Sequence, residues 1–375
     1  MKSCIYPGSF DPFTLGHLDV IERSANIFDK VIVSVGENAS KKYTFSLEDR
    51  LNSIKNNVKH IPKVSVVSFS GLLADFAYES GCKVVIKGVR NFQDFDYERL
   101  LHDIGLTQQR GIETLTIFSK SELSHVSSTA AKEICKNGGL LENYVPLSVK
   151  QELETTLNGQ LILGVTGEIG MGKSYFSEKF CYVESIYGFD IKHIDLDKLA
   201  HDILHNRTER VYIDLRHSIL KEFGLSIGNE SIIDKKKLGQ IVFNDRPSLK
   251  KLNDMMRIPI MTRIRKEIGN FKGCILLNGA LLVEAGFLPI CNNNIVVVKS
   301  SKEKQFYNLT QRGYSVEQIG NRINSQLNTD TKIKLIEESI NKYGHGKLFE
   351  FTNYVGEEEF DQIDKIKRWI DCYLY

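Results

Sequence analysis

A chain of 375 residues with 42% hydrophobic and 26% charged content has the length for two globular domains, each able to bury its own core. Its net charge of +2 supplies no field to draw a nucleic acid or a membrane surface, so neither is expected as a partner. Seven scattered cysteines, odd in number and never spaced C-x-x-C, argue against a disulfide framework or a zinc site and for a reducing compartment. The start, MKSCIYPGS, has no apolar core of signal-peptide length. The most hydrophobic stretch, Cys274 to Cys291, is interrupted by Asn278, Glu284, Gly286 and Pro289. It predicts a buried strand and loop, not a membrane span, and the protein is expected in the cytoplasm.

The elements follow in order. Cys4-Ile5-Tyr6 reads as the end of a first strand, which Pro7 and Gly8 break. Asp11 precedes Pro12 and is pushed out of the helical region. Thr14 is a good N-cap, and Leu18, Ile21, Ala25 and Phe28 recur at helical spacing. His17 then sits in a first helical turn, whose free N–H groups and positive dipole end form an anion site. A histidine there adds a charge-assisted donor to a phosphate oxygen. Alone, this tripeptide would more often be a tight turn with a surface histidine. Lys30 to Val35 predicts a buried parallel strand. Ser46 to Asp49 opens a capped helix, and Val64 to Phe69 is a third strand. A helix from Leu72 to Tyr78 ends at Gly81. Val84 to Lys87 is a strand followed by Gly88-Val89-Arg90. Asp94 opens a helix to about Gln109, Leu115 to Phe118 is a strand, and Ser127 to Lys136 a helix. This alternation predicts a doubly wound parallel sheet with ligands at the carboxyl ends of its strands.

A helix from about Leu147 to Leu157 leads to Asn158-Gly159-Gln160, the predicted boundary between a domain of residues 1–157 and one of 160–375. The pattern then restarts. Leu161 to Thr166 is a strand, and Gly167-Glu168-Ile169-Gly170-Met171-Gly172-Lys173-Ser174 is a complete P-loop before a helix. Its backbone N–H groups cradle phosphates, Lys173 reaches the β- and γ-phosphates, and Ser174 takes magnesium. His193 to Asp197 is a short strand ending in two acids. Beside a P-loop, such an acid ligates magnesium or takes a proton from an attacking hydroxyl. The fold class is therefore α/β, with two doubly wound parallel-sheet domains.

The run YPGSFDPFTLGHLDVIERS, with Thr14-Leu15-Gly16-His17 inside it, resembles the bacterial phosphopantetheine adenylyltransferases of the nucleotidylyltransferase superfamily. The resemblance covers residues 2 to 157 and implies transfer of an adenylyl group from ATP. It makes His17 the residue that stabilises the transition state and Lys41 the bridge between substrate and nucleotide phosphates. Arg90 matches the second arginine of an R-G-L-R loop, while Lys87 stands in place of the first. Ser9 stands where threonine is usual, and binds substrate and ATP phosphates. Nucleotide contacts are implied for Phe10, Gly88, Val89, Glu98, Leu123, Ser124, His125, Val126, Ser127, Ser128 and Thr129. Leu73 matches a backbone contact to pantetheine, whereas Gly105 replaces an asparagine on that side. The family is typically hexameric, so a homo-oligomer through the first domain is expected.

The second half resembles the dephospho-coenzyme A kinases, on GVTGEIGMGKS, IDLDKLAHDIL and the helical run Asp234 to Pro259. Asp197 then matches the catalytic base, Arg312 a lid arginine, Gln326 a helix position beyond it, and Phe351 to Asn353 the adenine-side loop. Gly167, Gly170, Met171, Gly172, Lys173, Ser174 and Tyr175 would hold the nucleotide. The departures are Ile258 for a histidine, Asn278-Gly279-Ala280 for Asp-x-Pro, Asn308 and Thr329 for lid arginines, and Thr352 for an aspartate. The two resemblances imply the last two steps of coenzyme A synthesis, with ATP and Mg2+ required. The rival readings are an active adenylyltransferase with a non-catalytic P-loop module, and a cytidylyltransferase joined to an unrelated P-loop kinase.

Overall fold

A computed structural model describes residues 2–38, 41–182, 188–225, 233–353 and 358–374. The chain divides into two compact units, Met1–Leu157 and Asn158–Tyr375.

The first unit holds β1 (Ser3–Gly8), β2 (Lys30–Gly36), β3 (Val64–Phe69), β4 (Val84–Val89) and β5 (Glu113–Phe118). All are parallel, in the order β3-β2-β1-β4-β5. The helices are α1 (Leu15–Ile27), α2 (Leu47–Val58), α3 (Leu73–Glu79), α4 (Phe92–Leu106), α5 (Ser128–Lys136) and α6 (Leu147–Leu153). Side chains alternate across the sheet. Cys4, Tyr6, Val31 and Val33 face a large core with Ile21 and Ile54, while Ile5 and Ile32 face a smaller one with Ala77 and Cys82. The strand order reverses beside β1, so a crevice opens past the carboxyl ends of β1 and β4. Two local expectations are corrected. β1 runs through Pro7 and Gly8, because its parallel register with Ser34 and Val35 of β2 carries on past them. α4 begins at Phe92, not Asp94, because the Asn91 side chain caps it by accepting from the Asp94 N–H at 2.9 Å.

The second unit holds β6 (Gln160–Thr166), β7 (Ile191–Asp195), β8 (Gly273–Asn278), β9 (Asn294–Lys299) and β10 (Lys347–Thr352), parallel in the order β10-β9-β6-β8-β7. Its helices are α7 (Lys173–Tyr182), α8 (Leu196–His205), α9 (Arg210–Glu222), α10 (Lys235–Asn244), α11 (Arg246–Ile268), α12 (Lys302–Gln311), α13 (Val316–Asn324), α14 (Thr329–Tyr343) and α15 (Glu358–Leu374). Both sheets thus match the fold class read from the alternation. Every residue of β8 is buried, which is why the Cys274 stretch reads as continuously apolar. No described helix is long and apolar enough to cross a membrane. Helices α8 to α11 share a core of their own around Ile203, Tyr212, Ile219 and Met256. β7 ends at Asp195, whose carboxylate caps α8 by accepting from Asp197 N–H at 2.9 Å and Lys198 N–H at 3.1 Å. Asp197 therefore lies in the first turn of a helix, not on the strand. Gln326 lies beyond the end of α13 in a loop, not on a helix.

The Lys332 side chain of α14 is fully buried against the loop that follows β8. Its ammonium donates to Glu284 Oε1 and Oε2 at 2.6 and 2.7 Å and to the Ala280 carbonyl at 2.7 Å. Removing one member of such a pair strands a buried charge. Lys332→Ala is expected to lower the unfolding free energy of this unit by about 3–5 kcal/mol, read from urea midpoints. Lys332→Met combined with Glu284→Leu is expected to cost much less, and equal losses in the two variants would refute the pairing argument.

Two candidate active sites

A cavity of about 400 Å³ lies at the β1/β4 crevice. Ser9, Phe10, His17, Lys41, Lys87, Gly88, Arg90, Glu98, Val126, Ser127, Ser128 and Thr129 line it, as do Thr14, Asp94, Tyr97 and Ser119. Five expected residues do not line it: Leu73, Val89, Leu123, Ser124 and His125. Leu73 packs under the small core of Ile5 and Ala77, Val89 is buried, and His125 meets the Tyr144 ring edge-on at 5.0 Å.

The T-x-G-H spacing has a local cause. Thr14 caps α1, and His17 is the third helical residue, so the two bond reciprocally. The His17 N–H donates to Thr14 Oγ1 at 3.3 Å and the Thr14 N–H donates to His17 Nδ1 at 3.0 Å. Nδ1 is thus an acceptor, and the neutral ring carries its proton on Nε2. Phe10 lies edge-on to the imidazole at 5.0 Å, and the Phe13 ring is tilted against it at 5.9 Å. Burial, reinforced by the Arg90 charge, holds the His17 pKa down to about 4. This corrects the expectation of a charge-assisted donor: at neutral pH the ring is an uncharged N–H donor.

Two of the cations that line the cavity with it, Lys87 and Arg90, are paired. Lys87 Nζ lies 2.8 Å from Glu98. Arg90 donates from Nε and Nη2 to Asp94 at 2.8 and 3.2 Å, and from Nη1 to the Val126 carbonyl at 2.9 Å. Asp11 was not anticipated from the sequence as more than a turn residue. It accepts from the Thr44 and Phe45 N–H groups at 3.0 to 3.1 Å and from Lys132 Nζ at 2.9 Å, fastening the loop that carries Lys41. Burial alone would raise its pKa, but those donors hold it below the usual value. A carboxylate in an aromatic, proline-rich turn had to find partners. That Lys132, 121 residues away, would be one was not legible.

The second site follows β6. Gly167, Gly170 and Gly172 adopt φ of 150°, 83° and 99°. A Cβ on Gly167 would lie 2.5 Å from the Val298 carbonyl oxygen, and one on Gly172 2.2 Å from Asn353 Nδ2. Glycine is thus required twice, by conformation and by contact. Lys173 curls over the loop to donate to the Gly167 and Glu168 carbonyls at 3.0 and 3.1 Å. Burial lowers its pKa to about 8; the Asp197 charge opposes this, and Lys332 and Arg312 add to it. Ser174 is exposed in the first turn of α7, and Met171 is buried. Tyr175 donates to Glu359 of α15 at 3.1 Å. Asn353 is buried, and both its side-chain and backbone oxygens accept from Lys304 Nζ, at 2.9 and 3.0 Å. Arg312 terminates α12. Asn308 and Thr329, expected only as lost lid cations, instead bond to the loop, with Asn308 Nδ2 donating to the Gly170 carbonyl at 2.7 Å. A second cavity of about 310 Å³, lined by Leu249, Asp254, Arg257, Glu284 and Gln326, adjoins the loop, because Gln326 Oε1 accepts from the Ile169 N–H at 3.0 Å.

Known proteins resemble both units. Residues 5–134 match the protein-family model described as Cytidylyltransferase-like, and residues 161–345 match the one described as Dephospho-CoA kinase. The phosphopantetheine adenylyltransferase of Clostridium botulinum (strain Eklund 17B / Type B) is 43% identical over 149 residues, which is 40% of this chain and 94% of that relative. That of Symbiobacterium thermophilum is 44% identical over 146 residues, 39% of this chain and 90% of the relative. Among solved structures, TT1252 from Thermus thermophilus aligns at 21% identity and a TM-score of 0.42, over 58% of this chain and 98% of that one. Through its first unit this chain belongs to the phosphopantetheine adenylyltransferase family, and its second unit is a domain of the dephospho-CoA kinase family.

Proposed function

We propose that this chain carries out the last two steps of coenzyme A synthesis. The first unit joins ATP and 4′-phosphopantetheine to give dephospho-CoA and diphosphate. The second uses ATP to phosphorylate the 3′-hydroxyl of dephospho-CoA. One observation carries the reading: an adenylyltransferase site and a complete P-loop kinase site stand on one chain, and the first site's product is the second site's substrate.

In the first step a phosphate oxygen of phosphopantetheine attacks the α-phosphorus of ATP. The bond to the β-phosphate oxygen breaks and diphosphate leaves. Negative charge spreads over the non-bridging α-oxygens, and the His17 Nε2–H is aimed into the cavity to meet it. Lys41 and Ser9 bind the attacking phosphate, and the start of α5 at Ser127 to Thr129 receives the triphosphate. Lys87 and Arg90 supply positive charge from within their carboxylate pairs. In the second step Lys173 binds the β- and γ-phosphates, Asp197 takes the proton of the attacking hydroxyl, and Asn353 and Arg312 border the nucleotide. The Ser174 hydroxyl beside the P-loop, and the Asp195 and Asp197 carboxylates whose charges reach Lys173, are hard-oxygen donors of the kind that fit Mg2+. The ion, when bound, neutralises phosphate charge. The seven cysteines, odd in number and never spaced C-x-x-C, fit a reducing cytoplasm.

We further infer that first units of separate chains associate. No residue of α4 is buried, and Phe92, Leu100, Ile104 and Leu106 are exposed along it. Leu115 and Phe118 are exposed on β5, the edge strand beside it. An apolar helix face beside an open sheet edge fits a second copy of the same unit. Light scattering on the full chain is expected to give a mass several times the 42.7 kDa protomer. Leu100→Glu with Ile104→Glu is expected to reduce it to the protomer. A wild-type chain that is monomeric at tens of micromolar would refute the association.

His17→Ala is expected to slow adenylyl transfer by about a hundredfold or more with little change in substrate affinity. In the wild type, kcat/KM for this step is expected to show no histidine inflection near its ordinary value of about 6.5, because the ring is neutral already. Protonation costs activity only as the pH falls toward about 4. A pH profile with loss centred at the ordinary value would refute the neutral-donor assignment.

Lys173→Ala is expected to abolish CoA formation while dephospho-CoA accumulates, read by mass spectrometry of products from phosphopantetheine and ATP. For the wild-type kinase step, kcat/KM for ATP is expected to fall as the pH rises through about 8, where the free enzyme's Lys173 loses its proton. If the chain makes dephospho-CoA but never CoA, the kinase half of the proposal fails.

A further inference from the structure

Three consecutive residues of the P-loop are gripped from outside by the segment that runs from α12 to the start of α14. Glu168 accepts at Oε1 from the Thr329 N–H at 2.8 Å and from Thr329 Oγ1 at 2.7 Å. At Oε2 it accepts from Gln305 Nε2 at 3.4 Å. The Ile169 N–H donates to Gln326, and its carbonyl accepts from Gln305 at 2.9 Å. The Gly170 carbonyl accepts from Asn308. Glu168 is only 9% exposed, so its carboxylate depends on these donors in place of water. Thr329 is the first residue of α14, so the carboxylate also meets the positive end of that helix. The N–H of Thr331, two residues on, is capped separately by the Asn328 side chain at 2.8 Å.

We propose that Glu168 is a positioning residue for the kinase reaction: held by Thr329 and Gln305, it sets the path of residues 167–172 so that their N–H groups already point at the triphosphate. The reaction rests on the kinase reading above; the effect on nucleotide binding does not. The physical need is plain. Three glycines at positive φ give this loop freedom that it would lose on binding ATP. A brace that orders the loop beforehand removes that entropy from the binding step. Asn308 and Thr329 are thus committed here to holding the loop. Arg312, on the same segment, is left to act on the phosphates.

The test uses the full chain as Glu168→Ala, Glu168→Gln, Thr329→Val and the double Glu168→Ala/Thr329→Val. Kinase kcat and KM for MgATP are measured with dephospho-CoA, the Kd of ATP by calorimetry without it, and adenylyl transfer as a check on the folded chain. Glu168→Ala is expected to raise both KM and Kd for ATP about tenfold or more, with kcat changed less. Glu168→Gln is expected to stay within about threefold of wild type, because its amide oxygen still accepts from both Thr329 donors. Thr329→Val is expected to fall between them and to add nothing in the Glu168→Ala background. The proposal is overturned if Glu168→Ala leaves the ATP Kd within about twofold of wild type, or if the Gln variant is as impaired as Ala. It is also overturned if the loss is confined to kcat and thermal stability. Should the Ala variant fail to fold, Thr329→Val and Glu168→Gln decide by the same measurements. If wild type makes no CoA yet the Kd values follow this order, the kinase reading fails and the brace stands. If wild type makes CoA and no variant moves, the brace fails and the kinase reading stands.

Discussion

The backbone N–H groups that a helix leaves unpaired at its start are the interaction around which both halves of this protein are built. In each sheet a central strand, β1 or β6, ends at the point where the strand order reverses. β1 then turns through Ser9 to Thr14 into α1, and β6 through the glycine-rich residues 167–172 into α7. The loop needs glycine where its backbone must approach a neighbour, as Gly167 does against Val298. The strand needs β-branched or apolar residues because both of its faces are covered. The rest of each unit serves to hold that turn in one conformation.

Burial then sets the charge of the groups placed at those turns. His17 packs against Phe10 and Phe13 at the start of its helix, so its ring stays neutral and keeps a fixed N–H. Lys173 lies folded onto the loop carbonyls, and burial lowers its pKa to about 8. The surrounding cations have the opposite design. Lys87 with Glu98, Arg90 with Asp94 and Lys132 with Asp11 are compensated in pairs. Such pairs keep cationic groups in place without leaving a buried charge uncompensated before a polyanionic substrate enters. They also mean that substrate phosphates compete with carboxylates already present.

Much of this was legible along the chain. The strand–helix alternation, the capping positions Thr14, Ser46 and Ser127, and the P-loop are local patterns. Their physics is short-range: caps satisfy N–H groups three residues away, and β-branched runs fill a covered sheet. The residues that line the first cavity were mostly foreseen, because strand-end loops of one parallel sheet must converge on one side.

The sequence by itself determined the two α/β units, the turn chemistry and most of the residues that line the first cavity, since each depends on neighbours a few positions apart. The tertiary structure alone decided how those residues are charged and what holds them. Nothing near His17 in the chain announces that enclosure by aromatic rings keeps it neutral. Nor does the spacing of Asp11 and Lys132, or of Glu168 and Thr329, mark them as partners: 121 and 161 residues of chain separate them. Hydrogen bonds and desolvation act over a few ångströms of space, whatever the distance along the chain.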